Sequence, residues 1–206
     1  MTKRLLVIGL LIALISACSN SASPVPMLGA TNLAPASAPD AAQTQDASLL
    51  ADVMRAGSDQ PAWLSTPLTN ASTGATFTLA DYPEKTVYVE LMATWCTNCR
   101  IQQGNVRDVR AKLSADNYVF ISLSVEPKDS TAGLAQYLVQ YKYPWTFAVV
   151  PKDMLAQLVE QFGQSVTNPT ATPHLVIAPS GSVSQLETGI HTTDQLTAEL
   201  TTAAGA

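Results

Sequence analysis

The chain has 206 residues, 47% of them apolar and 13% charged, which allows one domain of ordinary size plus appendages. Acidic residues outnumber basic ones 16 to 11. That sign excludes a protein built to grip nucleic acid, whose phosphates require a basic surface.

Taken from its start, the chain opens with Lys3 and Arg4, then runs through apolar and small residues from Leu5 to Ala17. At about 1.5 Å per residue this run falls short of the roughly 30 Å of a bilayer core. A basic start, a short apolar stretch and small residues before a cleavage point define a signal peptide over residues 1–17. The approach Leu14-Ile15-Ser16-Ala17 to Cys18 resembles the lipobox of bacterial lipoproteins. That resemblance implies a lipid on Cys18, anchorage to a membrane through acyl chains, and a place in the cell envelope outside the cytoplasm. Loss of Lys3 and Arg4 leaves nine basic against 16 acidic residues, a mature charge of about −7.

Residues 18–62 are rich in Ala, Ser and Pro and read as a flexible tether. Within it, Leu49, Leu50, Val53 and Met54 have the spacing of a short helix over Ala47–Ala56. The globular domain occupies 63–206. Leu64–Thr69 and Ala75–Leu79 flank a turn-rich stretch and predict a β-hairpin. Val87-Tyr88-Val89-Glu90-Leu91-Met92 predicts a buried strand that runs directly into Cys96-Thr97-Asn98-Cys99 and an amphipathic helix carrying Val106, Val109 and Leu113 on one face. Tyr118–Val125 follows as a strand and a helix capped by Ser130 or Thr131 runs to Tyr141. A strand over Trp145–Val150 leads to a helix over Lys152–Phe162, closed by Gly163. His174–Ala178 and Ser182–Glu187 predict a second hairpin, and Thr192-Thr193-Asp194-Gln195 a capping box that opens the last helix. Strands alternating with helices in this order give a three-layer α/β domain.

The C-x-x-C pair has two readings. Two thiols three positions apart at a helix start can close a small disulfide, and the helix N-terminus stabilises the attacking thiolate. A zinc site needs four ligands, and outside the pair only Cys18, His174 and His191 remain, without metal-ligand spacing. The redox reading is therefore the stronger.

The order strand, Ala93-Thr94-Trp95, Cys96 and Cys99, Arg100, and far downstream Thr172-Pro173 resembles the thioredoxin superfamily, and within it the membrane-anchored TlpA-like and ResA-like branch. The resemblance implies a thioredoxin-like fold: a central mixed sheet with flanking helices, an N-terminal hairpin and a strand–helix insert between Tyr143 and Gly163. It implies a thiol–disulfide oxidoreductase in which Cys96 is an exposed nucleophile and Cys99 resolves the mixed disulfide, with no cofactor beyond the pair. Glu90 then exchanges a proton with Cys99, Pro173 is a cis-proline facing the pair, Thr172 offers its backbone to a client, and Trp95 forms an apolar shoulder. Partners are disulfide- or dithiol-containing envelope proteins and a membrane electron donor or acceptor, with no nucleic acid. His174 is expected to face solvent. Thr97-Asn98 differs from the family's usual pair, which leaves reductant and oxidant open. A copper-binding protein using Cys96, Cys99 and His174 is the alternative of another class. The frame of a peroxiredoxin is absent, since its Pro and Thr positions hold Val89 and Ala93.

Overall fold

The computed structural model describes residues 60–206. Cys18 and the short helix expected over Ala47–Ala56 lie outside the described residues. Two sheets form. A two-stranded ribbon pairs β1 (Leu68–Thr69) with β2 (Thr76–Phe77). The main sheet contains β3 (Thr86–Met92), β4 (Tyr118–Ser124), β5 (Thr146–Val149) and β6 (His174–Ile177) in the order β5-β4-β3-β6. β3, β4 and β5 run parallel, and β6 is antiparallel to β3. Among the described residues four α-helices accompany them: α1 (Thr97–Arg110), α2 (Thr131–Tyr141), α3 (Lys152–Phe162) and α4 (Thr193–Ala204).

All seven residues of β3 are buried, as a parallel strand covered on both faces requires. Its alternation sorts the core into two layers. Val87, Val89 and Leu91 join Ile121, Leu123 and α3 residues Met154 and Leu158 on one face, together with Trp63 and Leu68. Tyr88 and Met92 join α1 residues Val106 and Val109, Leu134 and Leu138 of α2, and Leu196 and Leu200 of α4 on the other. Glu90 therefore points into the layer that also holds both cysteines. The expected mixed sheet, flanking helices, leading hairpin and β5–α3 insert are all present.

Two local expectations change. The first hairpin is short because Ala62–Ser65 forms a 3-10 turn, Pro67 has no N–H to donate, and Thr78 and Asp81 cap a second 3-10 turn at Leu79. The strand expected over Ser182–Glu187 reduces to two isolated bridges, His174 with Glu187 and Ile177 with Val183. There the Ser184 hydroxyl, 2.9 Å away, accepts the Val176 N–H that a carbonyl would take in a regular ladder. The capping box at Thr192 and Gln195 forms as expected, and Ser130 rather than Thr131 caps α2. Among the described residues no helix is long and apolar enough to cross a membrane.

Candidate active site

The buried strand β3 ends at Met92 and the chain turns over Ala93–Trp95 before α1 begins. Asp129 fixes this turn. Its carboxylate accepts from Thr94 N at 3.0 Å, from Thr94 Oγ1 at 2.6 Å and from Ser124 Oγ at 2.6 Å. Cys96 occupies the N-cap of α1, and its sulfur accepts the Cys99 N–H at 3.0 Å, in the role a capping hydroxyl plays elsewhere. Cys99 lies in the first turn. Cys96 and Cys99 form a disulfide with Cα atoms 5.3 Å apart. The helix macrodipole and free N–H groups at this end would stabilise a Cys96 thiolate on reduction.

Both cysteines are 0% exposed, contrary to the expectation of an accessible Cys96. A 3-10 turn over Pro169–Ala171 covers them, with the Pro169 carbonyl oxygen 3.3 Å from Cys96 Sγ and 3.1 Å from Cys99 Sγ. Asn98 Nδ2 donates to Thr170 O at 2.8 Å and ties this cover to α1. Trp95 stands beside the pair, 54% exposed, with Nε1 donating to Glu126 at 2.8 Å. Arg100 turns away from the sulfurs toward Thr97 Oγ1 and the Tyr141 ring.

The Thr172–Pro173 bond is trans, because among the described residues no peptide bond is cis. The chain reverses instead through Thr172 itself, at φ 49° and ψ 52° in the left-handed region that a β-branched residue rarely adopts. This places the Pro173 carbonyl to accept from Leu91 N at 2.8 Å and so to lead into β6. Thr172 is buried, its N–H donating to Pro169 O at 2.9 Å and its carbonyl accepting from the His174 ring. Both backbone groups expected to receive a client are thus engaged within the chain.

Glu90 is fully buried, one strand away from β6 and β4. Its Oε2 accepts from Ser122 Oγ at 2.9 Å and from Gln103 Nε2 at 3.2 Å, while Oε1 has no partner among the described residues. Trp145 Nε1 donates to Ser122 Oγ, and Tyr137 OH donates to Gln103 Oε1. Gln103 lies one helical turn beyond Cys99, so it links the carboxyl to the helix that carries the pair. Burial pushes the Glu90 carboxyl up to about 7, opposed only in part by the bonds from Ser122 and Gln103 and by His174. A group poised there can hold or take a proton near neutral pH.

Sequence reasoning missed Gln103, Ser122, Tyr137, Trp145, Asp129 and the Pro169 cover. Gln103 had a visible signal: it shares the face of α1 that carries Val106, so an amide there must find buried partners. His174 is buried, not solvent-facing. Its ring nitrogens meet Thr172 O and Glu199, so the copper ligand set of two cysteines plus His174 does not assemble in this structure.

No family model matches the chain. Its fold is shared by solved structures of low identity. A thiol:disulfide interchange protein of the thioredoxin family from Chlorobium tepidum is 17% identical, with TM-score 0.58, covering 71% of this chain and 97% of that one. A secreted disulfide oxidoreductase from Mycobacterium tuberculosis is 15% identical, with TM-score 0.54, over 68% and 96%. An exposed lipoprotein thioredoxin from Streptococcus pneumoniae is 22% identical, with TM-score 0.53, over 68% and 98%. The fold is thioredoxin-like.

Two predictions rest on this geometry. A raised Glu90 pKa means the native state keeps a proton that the unfolded chain releases, so stability falls as pH rises from about 4.5 to about 7. The full loss is roughly 3 kcal/mol at 1.36 kcal/mol per pH unit. Urea melts of oxidised Glu90→Gln should lack this slope, retaining only the loss above pH 6.5 due to His174, whose pKa is also raised. Second, Asn98→Ala removes the tie to Thr170, a hydrogen bond contributing about 0.5–1.5 kcal/mol. Dithiothreitol should then reduce the disulfide two- to tenfold faster. An unchanged rate in stopped-flow would show that this bond does not hold the cover shut.

Proposed function

We propose that the chain is an extracytoplasmic, lipid-anchored thiol–disulfide oxidoreductase that reduces disulfides of envelope proteins. The observation that carries this reading is a C-x-x-C disulfide capping the N-terminus of a helix whose Gln103, one turn beyond Cys99, donates to a buried carboxyl. The described form is the oxidised end of the cycle.

In the reducing direction, a Cys96 thiolate attacks a client disulfide, forms a mixed disulfide and releases one client sulfur as thiolate. Cys99 then loses its proton and attacks Cys96 Sγ. The Cys96–Cys99 bond forms, the bond to the client breaks, and the second client sulfur leaves. Two electrons pass to the client, whose sulfurs leave as thiolates and take their protons from solvent, while the single proton of Cys99 stays with the protein. In this reading Glu90, linked through Gln103 to the helix of Cys99, accepts the proton of the resolving thiol. Thr172 and Pro173 serve a client only after the Pro169–Ala171 cover swings aside, which also exposes Cys96. Trp95, already exposed, provides the apolar contact. Electrons return from a membrane donor, and no cofactor beyond the pair takes part.

The envelope location draws on residues 1–17, read as a lipoprotein signal peptide that ends before Cys18. It is supported by structural neighbours described as a secreted oxidoreductase and an exposed lipoprotein.

Cys99→Ser should accumulate mixed disulfides with envelope proteins, seen as bands that collapse on reduction, and Cys96→Ser should not. Equal trapping by both variants would reverse the assignment of nucleophile and resolving thiol. Separately, Cys18→Ala should move the protein from the membrane to the soluble fraction. A mature N-terminus mapped by mass spectrometry at a residue other than 18 would remove the anchor.

A further inference from the structure

Two histidines and one glutamate meet on the sheet face that α4 covers. His174 begins β6, His191 precedes the cap of α4, and Glu199 lies in the middle of α4. The imidazole rings stand edge to face with centroids 4.5 Å apart. Glu199 Oε2 lies 3.3 Å from His174 Nε2 and 3.5 Å from His191 Nδ1, and the ligand atoms of all three lie within 4.8 Å of one another.

The cluster leaves polar groups unmatched. His174 Nδ1 lies 3.2 Å from Thr172 O, and a carbonyl only accepts, so Nδ1 carries a hydrogen. In the neutral ring Nε2 is then bare, its lone pair aimed at a carboxylate oxygen. A proton on Nε2 would settle that one contact. It would leave His191 Nδ1 and Glu199 Oε1 buried and without hydrogen-bond partners among the described residues. A cation among the three groups takes the lone pairs of His174 Nε2, His191 Nδ1 and Glu199 Oε2 at once.

The spacing suits such an ion. Around tetrahedral zinc, with bonds of about 2.0–2.1 Å, neighbouring ligand atoms stand roughly 3.3 Å apart. The Thr172 carbonyl behind His174 Nδ1 is the outer-shell partner that metal-bound imidazoles usually have. The His191 backbone is held in place as well: its N–H donates to Gln102 Oε1 at 2.9 Å and its carbonyl accepts from Asn105 Nδ2 at 2.7 Å. A surface cleft lined by Ser184, Glu187, His191, Gln195, Ala198 and Glu199 gives an ion its way in and leaves one side open for water.

We propose that His174, His191 and Glu199 form a binding site for one divalent cation of the zinc class, open to solvent on the cleft side. Two imidazoles and a carboxylate suit borderline divalent ions rather than the soft monovalent copper that thiolates prefer. The test leaves the cysteines closed, so its outcome does not depend on thiol exchange.

The test uses the full chain with the Cys96–Cys99 disulfide intact, titrated with Zn²⁺ against a chromophoric chelator at neutral pH. His191→Ala and Glu199→Gln are the informative variants, because both residues are partly exposed while His174 is core. The wild-type chain should bind one Zn²⁺, and each variant at least about 100-fold more weakly, at or beyond the cost of losing an outer-shell partner. Zn²⁺ should raise the Tm of the wild type and of neither variant. Co²⁺ in the same chain should give visible ligand-field bands without a sulfur charge-transfer band. No binding by the wild type, equal binding by either variant, or a thiolate signature with Co²⁺ would each overturn the proposal. His191→Ala keeps the His174–Glu199 pair, so a native circular dichroism spectrum in that variant separates lost ligation from lost folding.

Discussion

A carboxyl group sealed from water in the centre of the sheet is the constraint around which this domain is arranged. Ionised and unpartnered, Glu90 would be costly enough to destabilise the fold, since an isolated buried charge costs far more than one hydrogen bond returns. The molecule meets that cost with donors drawn from separate elements. Ser122 comes from β4, Gln103 from α1, and Trp145 and Tyr137 support them from the turn before β5 and from α2. Each donor fixes one element against β3. Removing any of them leaves a buried acceptor short, which is why such networks define one packing arrangement. The helix that carries the cysteines is thereby tied to the strand that precedes it by a polar contact as well as by Val106 and Val109.

Much of this was legible in the residues. The period of two along Val87–Met92 assigned each side chain to its layer, and burial on both faces already made a solvent-facing Glu90 implausible. Gly163 ends α3 at a positive φ of 80°, as a glycine in that place allows, and Thr192 with Gln195 forms its box. Those features depend on neighbours within a few positions, so a local reading suffices.

What was not legible depends on residues far apart in the chain. Pro169 lies 73 positions from Cys96, and no local rule places its carbonyl on the sulfurs. The trans bond before Pro173 follows from how Thr172 turns the chain into β6, and a dipeptide carries no such information. His174 was expected to face solvent from its strand. It is buried because α4 lies over it, and Glu199 reaches it across 25 positions. The second hairpin failed for one hydroxyl, Ser184, that substituted for a backbone group.

The indole of Trp145 has one further consequence. It lies two hydrogen bonds from the Glu90 carboxyl, through Ser122 Oγ at 2.9 Å on each side. A charge appearing on that carboxyl shifts the energy gap between the indole ground and excited states, and so the colour of its emission. The other two indoles sit in different surroundings, Trp63 bonded to Gln161 in the opposite core layer and Trp95 largely in water. Their spectra are set by those surroundings, with Trp95 at the red end. The protein thus contains an intrinsic optical gauge of a buried proton, readable without a label while the disulfide opens and closes.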